Sequence, residues 1–283
     1  TRNSIRSASS GNVGVYQSTL TNASINSSKE AVKSSQAIID TTTAGSSDRK
    51  LAESSKYALD ASDDSARAAS HLDDAARARD AGNLDELTRS LDEARKASKS
   101  AKENSKLAAD RAKEAKSTDG RKQYPKWDKR PTNYAGAEKA ATKADDAQTA
   151  ANKLDDAIQK LQKSNNRGPI KYSADGPRHS QVQSKEISKT GTQARTASST
   201  SQNAATVADD ALINGMKIAE ASDDSIDAVR GMQQNANASH KASQVAQSKA
   251  NAFKSARALG YSGHAARQMS AIRSTQTLLL QTA

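Results

Sequence analysis

Six pairs of adjacent aspartates carry most of the potential chemistry in this 283-residue chain: Asp63 and Asp64, Asp73 and Asp74, Asp145 and Asp146, Asp155 and Asp156, Asp209 and Asp210, and Asp223 and Asp224. The stretch holding the first two pairs returns at an offset of 82 residues, "SDDSARAA" at Ser62 as "ADDAQTAA" at Ala144, and "LDDAARA" at Leu72 as "LDDAIQK" at Leu154. Paired carboxyls can act as a general acid and base, but only if both flank one substrate bond and one is buried enough to keep its proton. They can also bind a cation if several oxygens converge, yet the alternating Asp pattern of a calcium loop is missing. Adjacent residues on a helix diverge by about 100°, so a doublet on a helix cannot aim both carboxyls at one atom. The doublets are therefore expected on solvated helix faces, and the repeat reads as a copied helix surface.

Other catalytic and ligand-binding patterns are missing too. His71, His179, His240 and His264 are scattered, with no H-E-x-x-H pair. There is no phosphate-cradling G-x-x-x-x-G-K-[ST], no dinucleotide G-x-G-x-x-G following a strand, and no nucleophile elbow. No cysteine is present, so thiol catalysis, disulfides and thiolate metal sites are excluded together. The reading is of a non-enzymatic chain with no catalytic residue, no cofactor, no metal and no small-molecule substrate.

The elements that carry these residues follow from composition and spacing. Only 34 % of the chain is apolar, with one Trp, one Phe and six Tyr, too little bulk for a sandwich, barrel or doubly wound sheet. Small and apolar residues instead recur at alternating spacings of three and four. After "AGN" they run Leu84, Leu87, Leu91, Ala94, Ser98, Ala101, Ser105, Ala108, Ala112 and Ala115, and again from Ala137 through Ala140, Ala144, Ala147, Ala151, Leu154 and Ile158 to Leu161. Gly82 suits a left-handed helix stop, and Asn83 with Glu86 reads as a capping box for the next helix. The short link predicts antiparallel neighbours. An Ala/Ser seam gains little per residue against the ordering of its backbone, so a single hairpin is expected to pack on further helices or on another copy.

The predicted fold is all-α: elongated antiparallel hairpins, or a coiled-coil-like bundle, with Ala/Ser-rich seams. Its organisation is a polar N-terminal segment with one helix over 1–46, a helical hairpin over 47–119 and a basic, aromatic loop over 120–133. A long helix over 134–164 follows, then a Pro/Gly linker over 165–180, a long helical region over 181–237 and basic C-terminal helices over 238–283. Gly215, Gly231 and the stretch "QQNANASHK" are expected weak points in the last two regions.

Binding is expected where charge is unbalanced. Nine of the net +11 charges lie in residues 1–28 and 228–283, which contain no acid. The loop between the second and third helices gathers Arg121, Lys122, Lys126, Lys129 and Arg130 around Tyr124 and Trp127, a mixture that suits single-stranded nucleic acid or a protein partner, or else plugs the bundle end with its Trp. At the C-terminus Lys249, Lys254, Arg257, Arg267 and Arg273 accompany an apolar face. That arrangement suits an acidic protein, nucleic-acid phosphates or an anionic membrane surface.

The leading functional expectation is a structural protein acting through helix packing in a homo- or hetero-oligomer. The alternatives are a nucleic-acid-associated protein, for instance inside a virion, and an exported protein whose C-terminal helices lie on a membrane. No apolar run approaches the roughly 18 residues of a membrane span, and no signal-like segment is seen, so a soluble chain is expected.

Overall fold

The computed structural model describes residues 32–33, 36–42, 46–121, 133–165 and 184–258, with side chains described except at 120, 121, 239 and 242–258. The chain is all-α, and no strand occurs among these residues. It divides into two units, one of Ala31–Gln234 and one of Thr1–Glu30 with Asn235–Ala283. Of the second unit, residues 235–258 are described, as one helical stretch. Among the described residues, no helix is long and apolar enough to cross a membrane.

The first unit is a four-helix bundle built from α1 (Ser47–Asp80), α2 (Leu84–Arg121), α3 (Tyr134–Asn165) and α4 (Ser184–Ile218). Consecutive helices are neighbours, α4 closes the ring against α1, and α1 and α3 face each other across the diagonal. A fifth helix, α5 (Asp223–Ala258), starts in this unit and continues beyond it. It runs unbroken through "QQNANASHK", so the expected helix break there is absent. The division between the two units falls at that same stretch.

The interior has an apolar cluster toward each end. One joins Leu51, Ala112, Ala140 and Leu212 to Ile39 from the helical residues 36–41 and to Ile226, Val229 and Met232 of α5. The other joins Leu72, Leu87, Leu91, Leu154, Ile158 and Ile187. Between them the buried residues are mostly Ala and Ser, including Ser55, Ser62, Ser65, Ser98, Ser105, Ser198 and Ser201. The seams read from the spacing are buried as expected, except that Leu84, at the first helical position of α2, is half exposed.

The α1–α2 turn forms as its residues suggest. Asn83 N–H donates to the Ala78 carbonyl and Gly82 N–H to that of Arg79, closing the paired bonds of a Schellman stop around Gly82 at φ 72°. Asn83 then caps α2 by accepting from Glu86 N–H at 3.1 Å. The capping box is only half made, because the Glu86 carboxylate turns to Arg89 and Ser90 instead. The α4–α5 turn repeats the same geometry without a glycine. Ala221 N–H donates to Met216 and Glu220 N–H to Lys217, with Glu220 at φ 55° in the left-handed position. The chain reverses at Glu220, not at Gly215 or Gly231, both of which sit inside helices.

Candidate functional site

The candidate nucleic-acid and partner contacts read from the sequence lie outside what the structure describes. Lys122, Tyr124, Lys126, Trp127, Lys129, Arg130, Arg267 and Arg273 fall in the undescribed segments, and Arg121, Lys249, Lys254 and Arg257 stand on described helices with their side chains outside the description.

The aspartate doublets are well described, and here the solvated-face expectation needs correction. Asp63, Asp64, Asp155 and Asp209 are 6 %, 8 %, 2 % and 1 % exposed. In the pairs Asp155–Asp156 and Asp209–Asp210 one carboxyl goes in and the other out, as the divergence along a helix requires. The two members do not converge, but one of them enters the shoulder between helices. Only Asp146, Asp156, Asp210, Asp223 and Asp224 are exposed outright.

The 82-residue repeat is reproduced in burial along the seam. Ser55 and Ala137, Ser62 and Ala144, Ser65 and Ala147, Ala69 and Ala151, and Leu72 and Leu154 are all buried, on helices that face each other across the bundle. The carboxylates are not reproduced: Asp63 and Asp64 are buried and their counterparts Asp145 and Asp146 are not, while Asp155 is buried and Asp73 is only partly so. What recurs is the packing seam, with different polar surroundings on α1 and α3.

Inward carboxylates are held by donors from the neighbouring helix. Asp64 of α1 accepts from Ser100 Oγ at 2.6 Å and Asn104 Nδ2 at 2.9 Å, both on α2. Asp73 pairs with Arg195 of α4 at 2.5 Å. Asp119 of α2 accepts from Ser47 Oγ of α1 at 2.7 Å. Asp155 of α3 has the fullest set: the Arg95 guanidinium, the Lys102 ammonium at 3.3 Å and Ser98 Oγ at 3.1 Å, all from α2. Asn133 does related work at the start of α3. Rather than capping its own helix, it donates to the Ala211 carbonyl of α4 at 2.6 Å and accepts from Asn214 at 2.9 Å.

Asp209 of α4 differs from all of these. Among the described residues its Oδ1 has no hydrogen-bond partner, and the Ser55 hydroxyl of α1 lies beside the carboxyl. Burial pushes the carboxyl up to about 8; the nearby Ser55 hydroxyl opposes this and the Asp210 charge adds to it. A proton on this carboxyl provides a donor and removes the buried charge together.

Sequence spacing held signs of the inward residues. Asp155 directly follows Leu154 and precedes Ile158 by three, and Asp209 lies four residues from both Ala205 and Ile213, all buried. Both are shoulder positions that a seam of Leu and Ile would have made obvious and a seam of Ala leaves faint. No group of three or more His, Asp or Glu placed to hold a metal occurs among the described residues. Compared with protein-family models, with curated proteins and with solved structures, the chain matches none.

Proposed function

We propose that this chain is a non-catalytic structural protein that works through helix packing within an assembly of protein chains. The observation that carries this reading is the use made of Asp64, Asp73, Asp119 and Asp155: each accepts hydrogen bonds or an ion pair from the helix beside it. Carboxyls used in this way fix the register of helices whose Ala/Ser waist specifies register weakly, a role attested for buried polar groups in other helical assemblies. The small seams support the assembly half of the reading. An Ala contact buries little apolar area, so such a bundle gains by binding further chains, which stabilises the folded state by mass action.

Sedimentation velocity over a range of micromolar concentrations, paired with thermal melts of the same samples, tests the proposal. A species larger than the 29.8 kDa chain is expected, with a melting temperature that rises with concentration. A 29.8 kDa species throughout, with a melting temperature independent of concentration, would overturn it.

A further inference from the structure

The interface between α2 and α3 is a ladder of opposite charges with one rung missing. At one end Lys116 meets Glu138 and Lys113 meets Asp145, each at 2.7 Å. Further along, Arg95 and Lys102 meet Asp155. Between these rungs α3 presents the amides of Gln148 and Asn152, where the pattern would place an acid, and the helices leave a cleft of about 250 Å³. Lys106 lines that cleft and makes no ion pair among the described residues. Among the described residues Lys99 has only the exposed carboxylate of Glu103, at 3.9 Å on its own helix, and Gln148 and Asn152 are engaged by no other side chain.

We propose that this cleft binds a linear oligophosphate through Lys99 and Lys106 with the amides of Gln148 and Asn152. Lys99 and Lys106 are seven residues apart on one helix, about 10 Å along its axis, so their ammonium groups suit an extended anion better than a single compact one. Buried Asp155 already has Arg95 and Lys102, and Glu103 is largely exposed, so the acids at the cleft leave a surplus of positive charge. No aromatic residue lines it among the described residues, which leaves nothing there for a nucleobase to stack on and places recognition on the phosphoryl oxygens. The amides add directional donors that a bare lysine patch lacks. This inference does not depend on the chain's being structural or oligomeric.

The probe is sodium tripolyphosphate, titrated into the full chain by calorimetry and by amide NMR at fixed ionic strength. Saturable binding is expected, with shifts centred on residues 95–106 and 148–159. Lys99→Gln and Lys106→Gln are each expected to weaken it about tenfold, as loss of one charge-assisted contact does. Lys153→Gln removes the same charge from the groove between α3 and α4 and is expected to bind as the parent does. All three positions are solvent-accessible, and far-UV circular dichroism verifies that each variant is folded. Absence of saturable binding, or equal weakening by Lys153→Gln, would overturn the proposal. Tighter binding of oligo(dT) than of tripolyphosphate, insensitive to Lys106→Gln, would also overturn it, by placing the phosphate-binding surface elsewhere.

Discussion

Asp155 and Asp209 are equally deep in the same bundle and are accommodated in opposite ways. Between α2 and α3, Asp155 is surrounded by a guanidinium, an ammonium and a hydroxyl that all reach it from one neighbouring helix. Between α4 and α1, Asp209 faces a serine and, among the described residues, no cation, and burial favours its protonated form. A buried carboxyl can be made tolerable by a partner or by a proton, and this fold uses both. The first solution ties two helices to a definite register. The second leaves the fold dependent on pH.

Stability should suffer most when the compensated site is broken. Arg95→Met leaves Asp155 buried without its guanidinium and is expected to lower the unfolding free energy by about 3 kcal/mol, measured by urea denaturation. Replacing both residues, Arg95→Met with Asp155→Leu, is expected to recover most of that loss, because no unpaired charge then remains inside.

At Asp209 the contrast is read through pH. Its ordinary value of 3.8 is raised to about 8 in the fold, so the folded state holds a proton that the unfolded chain releases. The contribution of this group is fully present below about pH 4. It declines as pH rises toward 8, since the unfolded state binds fewer protons throughout that window. Its described electrostatic neighbours are Ser55 on α1 and Asp210 on α4, and neither supplies a cation to offset the change. Asp209→Asn removes the titration while keeping the shape. The variant should match the parent near pH 4 and exceed it at pH 8 by several kcal/mol. Equal stability of the two proteins at pH 8 would show that Asp209 is not held protonated.

A smaller contrast separates the serines beside the two carboxyls. Ser98 donates to a carboxyl that two cations also pair, whereas Ser55 faces a carboxyl with no cation among the described residues. Ser98→Ala is expected to cost about 1–2 kcal/mol at neutral pH. Smaller still is the difference between the two helix stops, one served by Gly82 and the other by Glu220 in the same left-handed geometry. Glu220→Gly is expected to stabilise the fold by about 0.5–1 kcal/mol, read as a small rise in melting temperature.

These contrasts also mark where the sequence is legible. The seam of α2, the Gly82 stop and the antiparallel hairpin can be read from spacing, because three-and-four periodicity matches the turn of a helix and a glycine at C′ matches a left-handed stop. Beside the α1 stripe of Ala52, Ser55, Leu59, Ser62 and Ala69, a second one, Leu51, Ser54, Ala58, Ala61, Ser65, Ala68, Leu72 and Ala75, keeps the same alternation and is buried throughout. Spacing alone does not single it out, because Ser and Ala fit a wet face as well as a dry one. With two buried stripes α1 turns Ser54 toward α2 and Ser62 toward α4, and that puts Asp64 indoors as well. The inward doublet members escape sequence reading for the same reason: helical divergence correctly separates the two residues of a pair, but does not say that one of them enters a shoulder. Glu220 gives no sign at all, since the geometry it adopts is one that sequence preference assigns to glycine.

If buried carboxylates hold these helices together, Arg95 and Asp155 must be energetically coupled, and a double-mutant cycle measures that coupling. With Arg95→Met, Asp155→Asn and the double variant compared by urea denaturation, a coupling of about 2 kcal/mol is expected. Effects that add to within about 0.5 kcal/mol would refute the idea, and would mean that Asp155 lies beside Arg95 without tying α3 to α2.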